Sequence, residues 1–403
     1  MTAPVFSARG MRRVVVHGSS ATRGEKYGAE ARTSIRQSIQ NYSRAFLHYT
    51  NLDWASAVRY AQRYEGIVGD LAPKCLEEIR GIARGAGVDR GDILALNLRS
   101  EVMFTAGVKG VKDGRETARK EAAECSSFAV LPEVSDCGHI LIGQNWDWTP
   151  YARETVMLLE AHCTDGPSYV TLVEAGLLAK VGFNESGLGV CTNTLVSTLD
   201  DGRVGLPYHV ILRSLLDTES INDALRLVLS GPRAMSANYI IGHADGLAVN
   251  LETVSGGPEG VRALMPEGGL LGHSNHFLDP SLAPFDARLA RSPHSLFRLD
   301  ALRLGLSRAL PKVSVEHVQD VLRDHRNYPD AVCSHPNLRT HELERRATVA
   351  SVIADLELRR LWVTAGSPCV HRYERYDYGA TLRQTLTPAL DQQERNSALV
   401  AGA

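Results

Sequence analysis

Cys125 stands where a polar stretch, Thr105–Glu124 (TAGVKGVKDGRETARKEAAE), gives way to the apolar run Cys125–Leu131 (CSSFAVL). If the Glu124–Cys125 peptide bond were cut, that cysteine would carry a thiol and a free α-amine at the end of a strand. Such an amine has an ordinary pKa of about 7.7–8.0 and a thiol about 8.5, so the amine can take the thiol proton near neutral pH. One residue would then supply nucleophile and base together. The cut itself could be made by the same thiol, through an N-to-S acyl shift followed by hydrolysis. The competing reading is a buried, inert core cysteine, which is how most free cysteines behave.

Other residues could do different chemistry. His273 and His276 form an HxxH pair, and Cys333/His335 and Cys369/His371 form two CxH pairs. Cysteine and histidine are zinc ligands, which keeps a metal-dependent hydrolase as an alternative. None of the pairs has C-x-x-C or HExxH spacing, and fourteen histidines produce such pairs by chance, so neither metal nor cofactor is expected. A papain-like thiol hydrolase with a distant histidine as base, which would work without self-cleavage, is a second alternative. A non-catalytic scaffold is a third.

The elements that must position these residues follow from periodicity. Ile35, Ile39, Tyr42, Phe46 and Tyr49 share one helix face. Helix continues over about 55–84, broken at Pro73, and over 94–104. Thr105–Glu124 is too polar to bury much surface and reads as an exposed loop in which backbone cleavage is tolerated. Cys125–Leu131 and His139–Trp148 then suggest a hairpin around Pro132–Gly138. Strand-like runs follow at 155–161, 168–174, 179–183 and 189–194, helices at 207–217 and 221–229, and a hairpin at 238–243 and 248–254. Helices at 295–307 and 315–324 precede final strands at 347–355 and 360–364. Hairpin-linked strands with flanking helix pairs favour an α+β layered fold over a doubly wound parallel sheet.

Composition narrows the partners. The 403 residues are 44% hydrophobic and 22% charged, with 44 Lys+Arg against 46 Asp+Glu and a formal charge of −2. That balance gives no electrostatic reason to bind nucleic acid or anionic membrane. No run approaches the roughly 18–20 apolar residues of a membrane span, and Met1–Arg13 lacks the apolar core of a signal peptide. Seven scattered cysteines fit reduced thiols. A cytoplasmic protein is expected.

Several segments carry a family resemblance. They are Glu124-Cys125-Ser126-Ser127-Phe128, Gly143-Gln144-Asn145-Trp146-Asp147, Asn184-Glu185-Ser186-Gly187-Leu188 and Ser236-Ala237-Asn238-Tyr239. Asn275-His276-Phe277-Leu278, Ala347–Ile353 and Gly366-Ser367-Pro368-Cys369 continue the series in order. Together they resemble the acyl-coenzyme A:6-aminopenicillanic acid acyltransferase family of self-cleaving N-terminal-nucleophile hydrolases. The resemblance implies a four-layer αββα sandwich and a precursor cleaved between Glu124 and Cys125. Residues 1–124 would remain as the smaller subunit of an α/β heterodimer and 125–403 would form the larger, catalytic one. It also implies Cys125 as nucleophile, Asp147 as the carboxylate that balances the new ammonium, Asn238 as the oxyanion-hole amide and Arg298 as an arginine beside the nucleophile. By pattern alone, Asp147 faces opposite to Trp146 and Trp148 on its strand, and Arg298 would default to a surface salt bridge. Trp146, Trp148, Asn193 and Phe277 are candidate substrate contacts. The penicillin-forming members carry glycine before the cysteine, where this chain has Glu124. The expected activity is cleavage or transfer of an acyl group at a linear amide or thioester of a small molecule, through a Cys125 thioester.

Overall fold

The computed structural model describes residues 10–106 and 124–382. The loop expected over Thr105–Glu124 lies outside them except at its ends, and both ends differ from expectation. Thr105 closes a helix, and Glu124 is buried and opens a strand.

The strands are β1 (Arg13–Gly18), β2 (Glu124–Val130), β3 (Leu141–Trp148), β4 (Val156–Cys163), β5 (Tyr169–Glu174), β6 (Val181–Asn184) and β7 (Leu188–Thr194). They continue with β8 (Ala237–His243), β9 (Leu247–Thr253), β10 (Val261–Leu264), β11 (Leu270–His273), β12 (Ala347–Asp355), β13 (Arg360–Thr364) and β14 (Glu374–Asp377). The helices are α1 (Ser20–Glu30), α2 (Arg32–Thr50), α3 (Trp54–Gln62), α4 (Glu65–Leu71), α5 (Pro73–Ala86) and α6 (Arg90–Asn97). After them come α7 (Arg99–Thr105), α8 (Tyr208–Leu215), α9 (Ile221–Ser230), α10 (His294–Ser307) and α11 (Val315–Leu322).

Two sheets result. One runs β1-β4-β5-β6-β7-β8-β9-β10 and is antiparallel except where β1 lies parallel to β4. The other, β11-β2-β3-β12-β13-β14, is antiparallel throughout. The central strands β2, β3, β4, β7 and β12 are buried along their whole length. A strand alternates its side chains between two faces, so burial of every residue means that both faces of each sheet are covered. Ala129, Ile142 and Ala354 of the second sheet pack with Val190 and Ile241 of the first, forming the inner core. Phe128, Val130, Leu141 and Ile353 point the other way, onto Leu302, Leu306, Val318 and Leu322 of α10 and α11. Helix α1 packs on β1 and β4 and α9 on β8 of the first sheet, while α2 reaches β3 through the bond between Tyr42 and Trp148. The chain is thus an α+β fold with its layers ordered helix, sheet, sheet, helix, as expected.

The helical layer depends on glycine. Gly24 and Gly28 of α1 face Gly81 and Gly85 of α5, and a Cβ at any of these positions would collide with backbone of the opposite helix. Small residues four apart on both helices let the two axes approach to backbone contact. The structure adds β1, which the sequence reading missed, to the outer edge of the first sheet.

Candidate functional site

Alternation along β2 sorts its residues between two environments. Ser127 and Ala129 face the inner side, as does Cys125, while Glu124, Ser126, Phe128 and Val130 face the α10 layer. On β3, Gln144 faces inward and accepts a bond from Thr192 N–H of β7 at 2.8 Å. Cys125 pairs with Trp146 across β2 and β3, and Glu124 pairs with Asp147.

The main chain of Cys125 is held on both sides. Its N–H donates to Asn275 Oδ1 at 2.8 Å. Its carbonyl accepts from Asn193 Nδ2 and from Arg298 Nη1, each at 2.9 Å. The register explains Asn275: β11 pairs His273 with Ser127, so two residues further along Asn275 arrives opposite Cys125. Asn193 comes from the facing sheet on β7, and its Oδ1 accepts from Ser127 Oγ and from Asn238 Nδ2 at 3.0 Å. Asn238 therefore reaches the cysteine only through Asn193, which stands opposite it in the β7–β8 register.

Arg298 is buried rather than on the surface. Its Nη1 also donates to Ser126 Oγ, and its Nη2 donates to Asn275 Oδ1 at 3.0 Å and lies 3.3 Å from the Glu124 carboxylate. Glu124 is surrounded by Arg346 at 3.0 Å, Arg288 at 3.4 Å and His294 Nε2 at 2.7 Å as well. Burial pushes the Glu124 carboxyl up, but Arg346, Arg298 and His294 hold it well below the ordinary value. The residue before the cysteine is thus a fixed buried anion in a basic cage.

Asp147 is also buried, on the face opposite Trp146. Its Oδ1 accepts from Thr348 Oγ1 at 2.6 Å. Burial raises its carboxyl to about 7; Arg298 and the Thr348 bond oppose the rise and Glu124 adds to it. A proton can therefore reside on this carboxyl in the neutral range.

The thiol itself has been pushed above its ordinary pKa by burial, with Asp147 adding to the rise and Lys180 and Arg298 opposing it. Lys180 was not among the expected site residues. It is fully buried, donates to Tyr208 Oη at 2.9 Å, and lies over the Trp146 ring at 5.8 Å. Burial lowers its ammonium to about 8, while Cys125 pulls it up. A lone lysine inside Leu177–Phe183 (LLAKVGF) was the available signal: an ammonium enclosed by apolar neighbours needs a partner.

The expected substrate contacts are distributed differently. Trp146 lies beside Lys180 and Arg99, and Asn193 touches Cys125. Trp148 donates its indole N–H to Tyr42 Oη at 2.8 Å beneath the Arg99 guanidinium. Phe277 packs with Leu195, Val254 and Leu282. Cys125 itself is 1% exposed with the Glu124–Cys125 bond intact. A cavity of about 570 Å³ opens elsewhere, between β10, β11 and α10, and Cys125 is not in its wall.

Residues 134–369 match the family described as acyl-coenzyme A:6-aminopenicillanic acid acyl-transferase. The chain belongs to that family. It is 27% identical over 372 residues, 89% of this chain and 93% of the other, to the 40 kDa form of acyl-coenzyme A:6-aminopenicillanic-acid-acyltransferase from Emericella nidulans. Among solved structures it resembles the Caenorhabditis elegans ortholog of N-acylethanolamine-hydrolyzing acid amidase, at 14% identity and a TM-score of 0.42. That match covers 63% of this chain and 99% of the other. Penicillin V acylase from Agrobacterium tumefaciens is similar at 14% identity and a TM-score of 0.39, over 63% of this chain and 86% of the other.

Proposed function

We propose that this chain is a self-processing cysteine N-terminal-nucleophile enzyme that cleaves or transfers an acyl group at a linear amide or thioester of a small molecule. The observation that carries the reading is the double pinning of one peptide junction. Glu124 is fixed by its basic cage, and Cys125 is fixed through both its N–H and its carbonyl. A reacting bond held this way loses little orientational freedom before attack.

In the processing step the Cys125 sulfur attacks the Glu124 carbonyl carbon. The C–N bond breaks, the thiol proton passes to the nitrogen, and a thioester to Glu124 forms. Water then hydrolyses the thioester, leaving a carboxylate on residue 124 and a free amine and thiol on Cys125. In turnover the amine takes the thiol proton, sulfur attacks the substrate acyl carbon, and the amine returns a proton to the leaving group. Water or an amine acceptor resolves the acyl-cysteine. Hydrolysis is the branch we assign, because water needs no second binding site.

Amide donors must meet the negative oxygen of the tetrahedral intermediate, each worth about 2.7–4 kcal/mol. Expectation placed this role on Asn238. Asn193 donates its Nδ2 to the Cys125 carbonyl, so we assign a donor to it and give Asn238 the task of positioning it, while Asn275 holds the Cys125 nitrogen through its Oδ1. Asp147 balances the new ammonium, and Lys180 stabilises the thiolate.

The two pieces, 1–124 and 125–403, would remain joined. Strand β1 pairs with β4, the buried Arg23 and Arg213 share Glu78, and Arg99 pairs with Glu174. Intact mass of the purified chain tests the reading. Two fragments that separate between residues 124 and 125 are expected, with a single uncut, inactive chain for Cys125→Ala. An active wild-type chain with that bond intact would favour the papain-like alternative and overturn the proposal.

A further inference from the structure

Two cysteines and two histidines that the sequence scatters over three places meet at one point. His325 follows α11, Cys333 and His335 lie in the segment leading to β12, and Cys369 follows β13. One ligand-capable atom from each lies within 4.8 Å of all the others. His335 Nε2 is at the centre: Cys333 Sγ is 3.6 Å from it, Cys369 Sγ 3.4 Å and His325 Nε2 3.1 Å.

Hydrogen bonding does not account for this convergence. A neutral imidazole nitrogen has one proton or one lone pair, so His335 Nε2 can satisfy one of those three neighbours. A tetrahedral ion does account for it. With Zn–S of about 2.3 Å and Zn–N of about 2.0–2.1 Å, ligand atoms stand about 3.6 Å apart for a sulfur–nitrogen pair and about 3.3 Å for two nitrogens. The observed separations fall within 0.2 Å of those edges. We propose that His325, Cys333, His335 and Cys369 form a structural Zn²⁺ site.

The donor set selects the ion. Thiolate and imidazole together favour zinc over the hard cations, and four protein ligands leave no open position for catalysis. Binding converts both thiols to thiolates and releases two protons to solvent.

The surroundings explain what the ion would do. The chain between Leu322 and Ala347 contains no strand or α-helix, only a single short turn of 3₁₀ helix at Glu342–Glu344. A segment of that length inside a folded domain needs fixing, and a metal clip closes it to the β13 side. Its inner edge already touches the main site. Asn145 Nδ2 donates to Val332 O at 2.8 Å, and Ser334 N–H donates to Thr348 Oγ1 at 2.9 Å, the same hydroxyl that bonds Asp147. The sequence reading saw the Cys333/His335 pair but joined Cys369 to His371, whose ring instead meets Arg153.

The test is elemental analysis of the purified full chain, with about one zinc per chain expected. Replacement by Co²⁺ should give thiolate-to-cobalt charge-transfer absorption and the intense visible bands of tetrahedral cobalt. Cys333→Ser and Cys369→Ser should each lose the metal. Cys137→Ser, which removes a thiol from the Cys137–His139–Asp355 cluster, should keep it. A zinc-free wild-type chain that also takes up no Co²⁺ would overturn the proposal. So would a Cys333–Cys369 disulfide found by mass in protein purified without oxidant, or a metal that follows Cys137 instead. The cobalt spectrum is read on wild-type protein, so the proposal remains falsifiable if a cysteine variant fails to fold.

Discussion

Replacing Glu124 by glutamine tests whether the basic cage holds the Glu124–Cys125 junction. The change keeps the size of the side chain and removes its charge, leaving the buried Arg288 and Arg298 and the half-buried Arg346 around a neutral amide. Removing one partner of a buried ion pair costs about 3–5 kcal/mol, most of it from the uncompensated charge left behind. Arg298 and Arg346 keep other acceptors, Cys125 O and Asp330, which places the expected loss towards about 3 kcal/mol. The measurement is urea unfolding of the uncut Cys125→Ala chain with and without Glu124→Gln. The pH dependence follows from the depressed carboxyl. A group whose folded pKa is lowered stabilises above its unfolded value and loses that contribution as pH falls through the folded one. The stability gap between the two chains should therefore be full above pH 4.5, the ordinary glutamate value, and shrink progressively below it. Wild-type processing should slow with Glu124→Gln, while enzyme that has already been cut should turn over normally. A gap below about 1 kcal/mol at neutral pH, the size of an ordinary surface pair, would refute the cage argument.

Asn193→Ala should lower kcat by about 10²–10³ with little change in KM, read by steady-state kinetics on a hydrolysed amide. Asn238→Ala should lose less, because it acts through Asn193; an equal or larger loss there would return the donor role to Asn238. Lys180→Met removes the cation that opposes the upward shift of the thiol, so the pH at which processing reaches half its maximum should move upward; an unmoved profile would remove Lys180 from the chemistry. Gly85→Leu drives a side chain into the backbone of α1 and should cost about 1–3 kcal/mol or more by overpacking, measured by thermal unfolding of the Cys125→Ala chain.

The strands were readable where alternation or an apolar run was bounded by turns, as at Cys125–Leu131 and Asn238–His243, and the helices where a 3.6 period was sustained. Strand β1 was not, because its six residues stand alone near the start of the helical region and its partner β4 lies far along the chain. Register decided what was legible in the site. Cys125 was singled out by its position at a change of composition, and the orientation of Asp147 was read by alternation against two tryptophans. Asn275 was visible within a motif, but its role depends on β11 pairing with β2, which local sequence does not specify. Glu124 read as a departure from the family pattern, and only the fold supplies the arginines that make a buried anion tolerable there. The Cys/His cluster failed the spacing test because its ligands come from three separate segments.

If the chain cleaves itself as proposed, the junction geometry also accounts for how a buried, hard-to-ionise thiol would become a working nucleophile. With the chain intact, the nitrogen of Cys125 is a peptide nitrogen without basicity, and it already donates to Asn275 Oδ1. Scission would turn that same atom into an amine, so the base would arise two carbons from the sulfur on the same residue. Scission would also set an ammonium near Asp147, whose carboxyl is raised to about 7 by burial, with Glu124 adding to the rise. Gaining that ammonium would favour the ionised carboxylate. Opening the junction would therefore create the base and favour the charge on the carboxylate that steadies it, both from the breaking of one bond.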